Sequence, residues 1–193
     1  MSDGSDFFQR LQALTSAIAE CIVTTENGEN ISIDEGLRRF LGLCGQIRQK
    51  NGLLALVGNG GSAGIASHTA TDFLNVAKIR SISFQEVSTL TCHANDYGYE
   101  SVYSKSVEQF LGVNDCLIAI SSSGKSQNIL NASDQAIRNG SNLVTFSGFE
   151  VVNPLRQLGH LNFWVNRMDY GLVELAHHFI LHNLTDQFIK ERR

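Results

Sequence analysis

Two stretches of this chain, LLALVG (53–58) and DCLIAIS (115–121), are almost wholly apolar, and each runs directly into a turn of glycines and serines. A strand with one solvated face alternates apolar and polar residues, so a continuous apolar run belongs to a sheet covered on both faces. Helical patterns stand between the apolar runs: SAGIASHTATDFLNVAK (62–78), most of the stretch to residue 111, SGKSQNILNASDQAIRNG (123–140) and GLVELAHHFILHNLTDQFIKE (171–191). ISFQEV (82–87), NLVTFSG (142–148) and LNFWVN (161–166) read as further strands. Strands that alternate with helices in this way predict a mostly parallel, five-stranded α/β sheet. Two amphipathic segments, FFQRLQALTSAIAECIV (7–23) and IDEGLRRFLGLCGQIRQ (33–49), predict a helical amino-terminal extension, with TTENGENIS (24–32) as a polar turn between them.

Punctuation shows no boundary inside the chain. A single proline, Pro154, and scattered glycines separate the elements, and 193 residues with 42% hydrophobic content suit one buried core. The formal net charge of −4 excludes a broad basic groove for nucleic acid. No run approaches a membrane span, and the first residues, MSDGSDFFQR, have no signal-peptide pattern, so a cytoplasmic protein is expected. Cys21, Cys44, Cys92 and Cys116 form no CxxC pair, and each is expected to serve as a small hydrophobe rather than in a disulfide or zinc-cysteine site.

In open parallel sheets, ligands bind beyond the carboxyl ends of the strands. There the chain places Asn59, Gly60, Gly61 and Ser62 after one apolar strand, and Ser121, Ser122, Ser123 and Ser126 after the other. Each turn offers backbone N–H groups at a helix start, glycines that permit close approach and hydroxyl donors, which is what a phosphate needs. Neither turn matches GxxxxGK[ST] or GxGxxG, so a small phosphorylated ligand is expected and a nucleotide cofactor is not. Lys125 is read either as a phosphate contact or as an exposed charge on the first turn of its helix.

VGNGGSAGIASH (57–68), VSTLTCHANDYGYESVYSKSVE (87–108) and AISSSGKSQNILNASDQAIRNG (119–140), in that order, resemble the sugar isomerase (SIS) family, specifically its phosphoheptose isomerase group. The similarity runs from about residue 53 to the carboxyl end. The resemblance implies a three-layer αβα sandwich and a phosphosugar aldose–ketose isomerase that converts sedoheptulose 7-phosphate to D-glycero-D-manno-heptose 7-phosphate through an enediol. It also implies a homotetramer whose sites are shared between subunits, with zinc in some members. Residues 1–193 then form one SIS domain, with 1–52 serving oligomerisation and 53–193 binding the phosphosugar. By motif, Asn59, Gly60, Gly61, Ser62, Asn95 and Asp96 line the sugar site, and Ser121, Ser122, Ser123 and Ser126 take the phosphate.

Isomerisation needs an acid and a base facing the same sugar. His68 and Asp72 lie one helix turn apart, and Glu174, His178 and His182 repeat at intervals of four in the last helix. The family's four zinc positions fall on His68, Asp72, Glu174 and His182, with Asp72 in place of a glutamate and Glu174 in place of a glutamine. The expected catalytic residues are Asp72 or Glu174 as base and His182 as acid. A further departure is Gly171, where the family has an acidic residue; Asp169 lies two positions earlier. The alternative reading is a non-catalytic SIS protein, a phosphosugar sensor or tetrameric adaptor.

Overall fold

Strand β3 (Leu53–Gly58) divides its side chains between two cores. Leu54 and Leu56 are fully buried on one side of the sheet, and Ala55 and Val57 on the other. Strand β5 (Cys116–Ser121) does the same, with Cys116, Ile118 and Ile120 opposite Leu117 and Ala119. The period of two in side-chain direction is what turns an unbroken apolar run into a sheet with two covered faces. The computed structural model describes residues 6–190 of the chain.

One face is packed by α1 (Phe7–Ala19), α2 (Ile33–Gln49), α3 (Gly61–Asp72) and α7 (Tyr170–Lys190), through residues such as Ala17, Phe40, Ala66 and Ala176. The other is packed by α4 (Val87–Tyr97), α5 (Ser104–Phe110) and α6 (Gln127–Arg138), through Leu90, Val107, Ile129 and Ala132. The result is a three-layer αβα sandwich. With β1 (Ile22–Thr25), β2 (Asn30–Ile31), β4 (Arg80–Ser83), β6 (Asn142–Gly148) and β7 (Leu161–Val165), the sheet order is β2-β1-β7-β6-β5-β3-β4.

Five of these strands, β3 to β7, are parallel, as the alternation predicts. The sheet nevertheless has seven strands rather than five, because β1 pairs antiparallel with β7 and β2 with β1. Helix α1 ends at Ala19, and the residues read as its last turn are β-branched Ile22 and Val23, which join the sheet. Val23 packs onto Gly36 of α2, where a methyl group would collide with it. The amino-terminal extension is therefore two helices around a β-pair. Strand β4 also ends earlier than expected, because Glu86 caps α4 by accepting from the Ser88 and Thr89 amides at 3.0 and 2.8 Å. Those amides hold the Glu86 carboxyl down at about 2. The helical stretch before β5 is broken at Gly98, whose φ is +84°.

From β3 the chain crosses to β4 on one side, while β5 lies on the other. The carboxyl ends of β3 and β5 are thus the switch point of the sheet, and α3 and α6 begin beside it.

Candidate active site

Beyond β3 and β5 lies a crevice of about 270 Å³. Asn59, Gly60, Gly61 and Ser62 line one wall, Ser121, Ser122, Ser123 and Ser126 the other, and Ile120, Tyr170 and Glu174 complete it. Gly60, with φ of +54°, turns the chain sharply from β3 into α3. Ser126 takes the cap position of α6. Two helix amino termini therefore present free N–H groups to one small space, an arrangement suited to an anion. The Ser122 hydroxyl is buried with no hydrogen-bond partner among the described residues, which leaves a donor for a ligand oxygen.

The two walls are joined by side chains. Asn59 and Asn128 bond reciprocally, each amide nitrogen donating to the other's carbonyl at 2.9 Å, and Asn128 is 2% exposed. The Tyr99 hydroxyl donates to Asn59 at 3.3 Å, and the buried Tyr103 hydroxyl to the Gly58 carbonyl at 2.7 Å. Opposite, Gly124, with φ of +63°, packs so closely on Asn153 that a methyl group there would collide with it. Lys125 donates to Glu150 at 2.8 Å in an exposed pair and does not line the crevice.

Helices α3 and α7 pack against each other and carry the ionisable groups. His68 Nε2 and His182 Nδ1 lie 3.1 and 3.0 Å from Asp72 Oδ2, so one carboxylate oxygen meets two imidazoles, hydrogen-bonded to His182 and in ion-pair contact with His68. These three donor atoms all lie within 4.8 Å of one another. Two imidazoles with a carboxylate are a nitrogen–oxygen set that suits zinc with an open position. His178 stands beside them, its ring 4.8 Å from His68 and 6.2 Å from His182 between centroids. Burial, then the charges of His68 and His182, lower its pKa against a partial offset from Asp72. His177 faces the core, with Nε2 3.0 Å from the Ser147 carbonyl, and burial pushes it down to about 4.

The sequence pattern of the SIS domain matches residues 12–148, from α1 to the end of β6. The chain belongs to the SIS domain family. A phosphoheptose isomerase of Helicobacter pylori (strain P12) is 32% identical over 161 residues, spanning 80% of this chain and 83% of its own length. Among solved structures, a phosphoheptose isomerase from Francisella tularensis superposes with a TM-score of 0.81 at 21% identity, covering 94% of each chain. The phosphoheptose isomerase from Neisseria gonorrhoeae gives 0.79 at 23%, covering 95% of each. Within the SIS family the chain stands with the phosphoheptose isomerases, and the sensor or adaptor alternative is not favoured.

The SIS motifs fall on the crevice unevenly. Asn59, Gly60, Gly61, Ser62, Ser121, Ser122, Ser123 and Ser126 come together there, whereas Asn95 and Asp96 lie exposed on α4 and bond to each other at 2.8 Å. Of the four zinc positions, the fold gathers His68, Asp72 and His182, while Glu174 lines the crevice beside Gly61, where a methyl group would collide with its carboxylate. Asp169 does not stand in for the family's acidic residue. It pairs with Arg10 at 3.1 Å and accepts from the Leu172 amide at 2.9 Å as α7 begins. Tyr170 and Asn128 carry no signal in the sequence, because packing across the fold, not spacing along the chain, brings them to the turns. Cys92 is exposed on α4, unlike the three buried cysteines.

Proposed function

We propose that this chain is an aldose–ketose isomerase converting sedoheptulose 7-phosphate to D-glycero-D-manno-heptose 7-phosphate, acting as a cytoplasmic homotetramer. The observation that carries the reading is the line from the serine crevice along the α3–α7 seam to the Asp72 group. Asp72 lies eleven residues beyond Gly61 on α3, about 16 Å along the helix axis. The phosphate sits on the seventh carbon and the reacting carbons are the first two. A substrate anchored by its phosphate must therefore reach its chemistry several bonds away, along the seam in the direction of Asp72.

In this reading Ser121, Ser122, Ser123 and Ser126, with the α3 and α6 amides, bind the phosphate, and Asn59 and Glu174 orient the sugar hydroxyls. Asp72 Oδ2 is held by His68 and His182, leaving Oδ1 to take the proton from the carbon next to the carbonyl. His182 protonates the carbonyl oxygen as the enediol forms; Asp72 then returns its proton to the former carbonyl carbon while the neighbouring hydroxyl gives its proton back to His182 and becomes the new carbonyl. In a metal-loaded site the same His68, Asp72 and His182 would instead hold zinc, which would polarise the substrate oxygens in place of the His182 proton. Residues 1–52 are assigned to assembly and 53–193 to the phosphosugar site.

Conversion is measured by NMR on sedoheptulose 7-phosphate, and binding by calorimetry. Asp72→Asn and His182→Ala are expected to lose roughly 10²–10⁴-fold in kcat while keeping phosphate affinity. Turnover lost in Glu174→Gln but kept in Asp72→Asn moves the base to the last helix. No conversion by the wild type, with zinc supplied, ends the isomerase reading.

A further inference from the structure

We propose that His178, and not Glu174, completes the metal set of this chain. The inference rests on the proposed phosphosugar site and changes the fourth ligand position that the family pattern assigns. His178 Nε2 is shielded from solvent and has no hydrogen-bond partner among the described residues. A buried polar nitrogen without a partner is costly to retain in a fold unless something else engages it. Its ring stands edge to face with His68 and one helix turn before His182; its nitrogens lie outside the set that His68, Asp72 and His182 form, so a turn of the side chain is what metal binding requires of it.

Glu174 lies a further turn away, about 12 Å from His182 along the axis of α7, and its carboxylate faces Gly61 in the crevice. It makes no hydrogen bond or ion pair among the described residues, which leaves it free for sugar hydroxyls. Three imidazoles and one carboxylate are a borderline-soft donor set that suits zinc or cobalt better than magnesium or calcium. His178 and His182 also line a depression of about 250 Å³ with Leu14, Leu175 and Phe179, so the group has an open side.

The test is metal binding by the full-length protein stripped with chelator, titrated with Zn²⁺ by calorimetry and with Co²⁺ by its visible absorption bands. His178→Ala and His178→Gln are expected to weaken both metals by about tenfold or more and to change the cobalt bands. Glu174→Gln is expected to bind like the wild type, and thermal melts confirm that each variant is folded. The proposal is overturned by affinity within about threefold of wild type in both His178 variants, by an equal loss in Glu174→Gln, or by a wild type that binds neither metal. Sugar-phosphate conversion on the same preparations separates the two readings. Metal bound as expected without conversion defeats the isomerase reading alone, and conversion by protein that binds no metal defeats the His178 assignment alone.

Discussion

His177 and His178 are adjacent in sequence and face opposite environments, which shows how little a residue type reveals without its neighbours. His177 is fully buried against Phe146, and its pKa falls from an ordinary 6.5 to about 4. Between those values the unfolded chain binds a proton that the folded chain refuses, so stability falls as pH drops from 6.5 and levels off below about 4. The full shift corresponds to about 3 kcal/mol at most. Urea midpoints measured across that range are expected to fall in the wild type and to fall less steeply in His177→Gln; equal slopes would remove the assignment. In sequence, His177 and His178 form one polar step in an apolar helix, and His178 reads as weakly as any histidine on a solvated face. Only the meeting of α3 with α7 separates them, placing one in the core and the other against His68. Ser122 differs for a similar reason: its type suggests a donor, but its unpartnered hydroxyl is a property of the folded turn.

The two strand-to-helix turns are the elements in which the sequence is most legible, since LLALVG and DCLIAIS leave few alternatives to a buried parallel strand ending in a tight turn. What holds the turns in mutual register is not local. The Asn59–Asn128 pair joins residues sixty-nine apart in the chain. Asn128→Ala removes both bonds and strands the Asn59 amide, at a cost of roughly 1–3 kcal/mol in stability. Sugar-phosphate affinity measured by calorimetry should fall with it, and an unchanged melting temperature together with unchanged affinity would show that the pair does not set the crevice. Strands β1 and β2 were illegible for a different reason. Ile22 and Val23 continue the apolar spacing of α1, and a short β-branched pair cannot be told from a last helical turn until Trp164 and Phe163 of β7 are beside it. The break at Gly98 was also hidden, because helical patterns continue on both sides of it.

At the scale of the molecule, one face remains unfinished. Phe7, Leu11, Leu175 and Phe179 are 74%, 49%, 54% and 57% exposed, and they border depressions of about 510 and 390 Å³ between α1 and α7. A contiguous apolar surface of this kind marks an interface. The occupant we assign is a second copy of the chain, because the stripe is continuous with the depression holding His178 and His182, which the proposed assembly would cover. Full burial of such side chains contributes roughly 1.5–3 kcal/mol each. A two-fold contact counts each one twice, and because each is about half buried already, the sum is comparable with an association cost of about 4–15 kcal/mol. Light scattering at micromolar concentration is expected to give the proposed tetramer, in which this two-fold contact supplies one interface, and Leu175→Glu combined with Phe179→Glu to give a smaller species that remains folded. Because Leu175 and Phe179 flank His178 on the same helix, dissociation should also expose the histidine group to water and lower turnover per chain. If the double variant is smaller yet equally active, assembly is independent of the site; if the wild type is a monomer, the α1–α7 face is not an interface between copies.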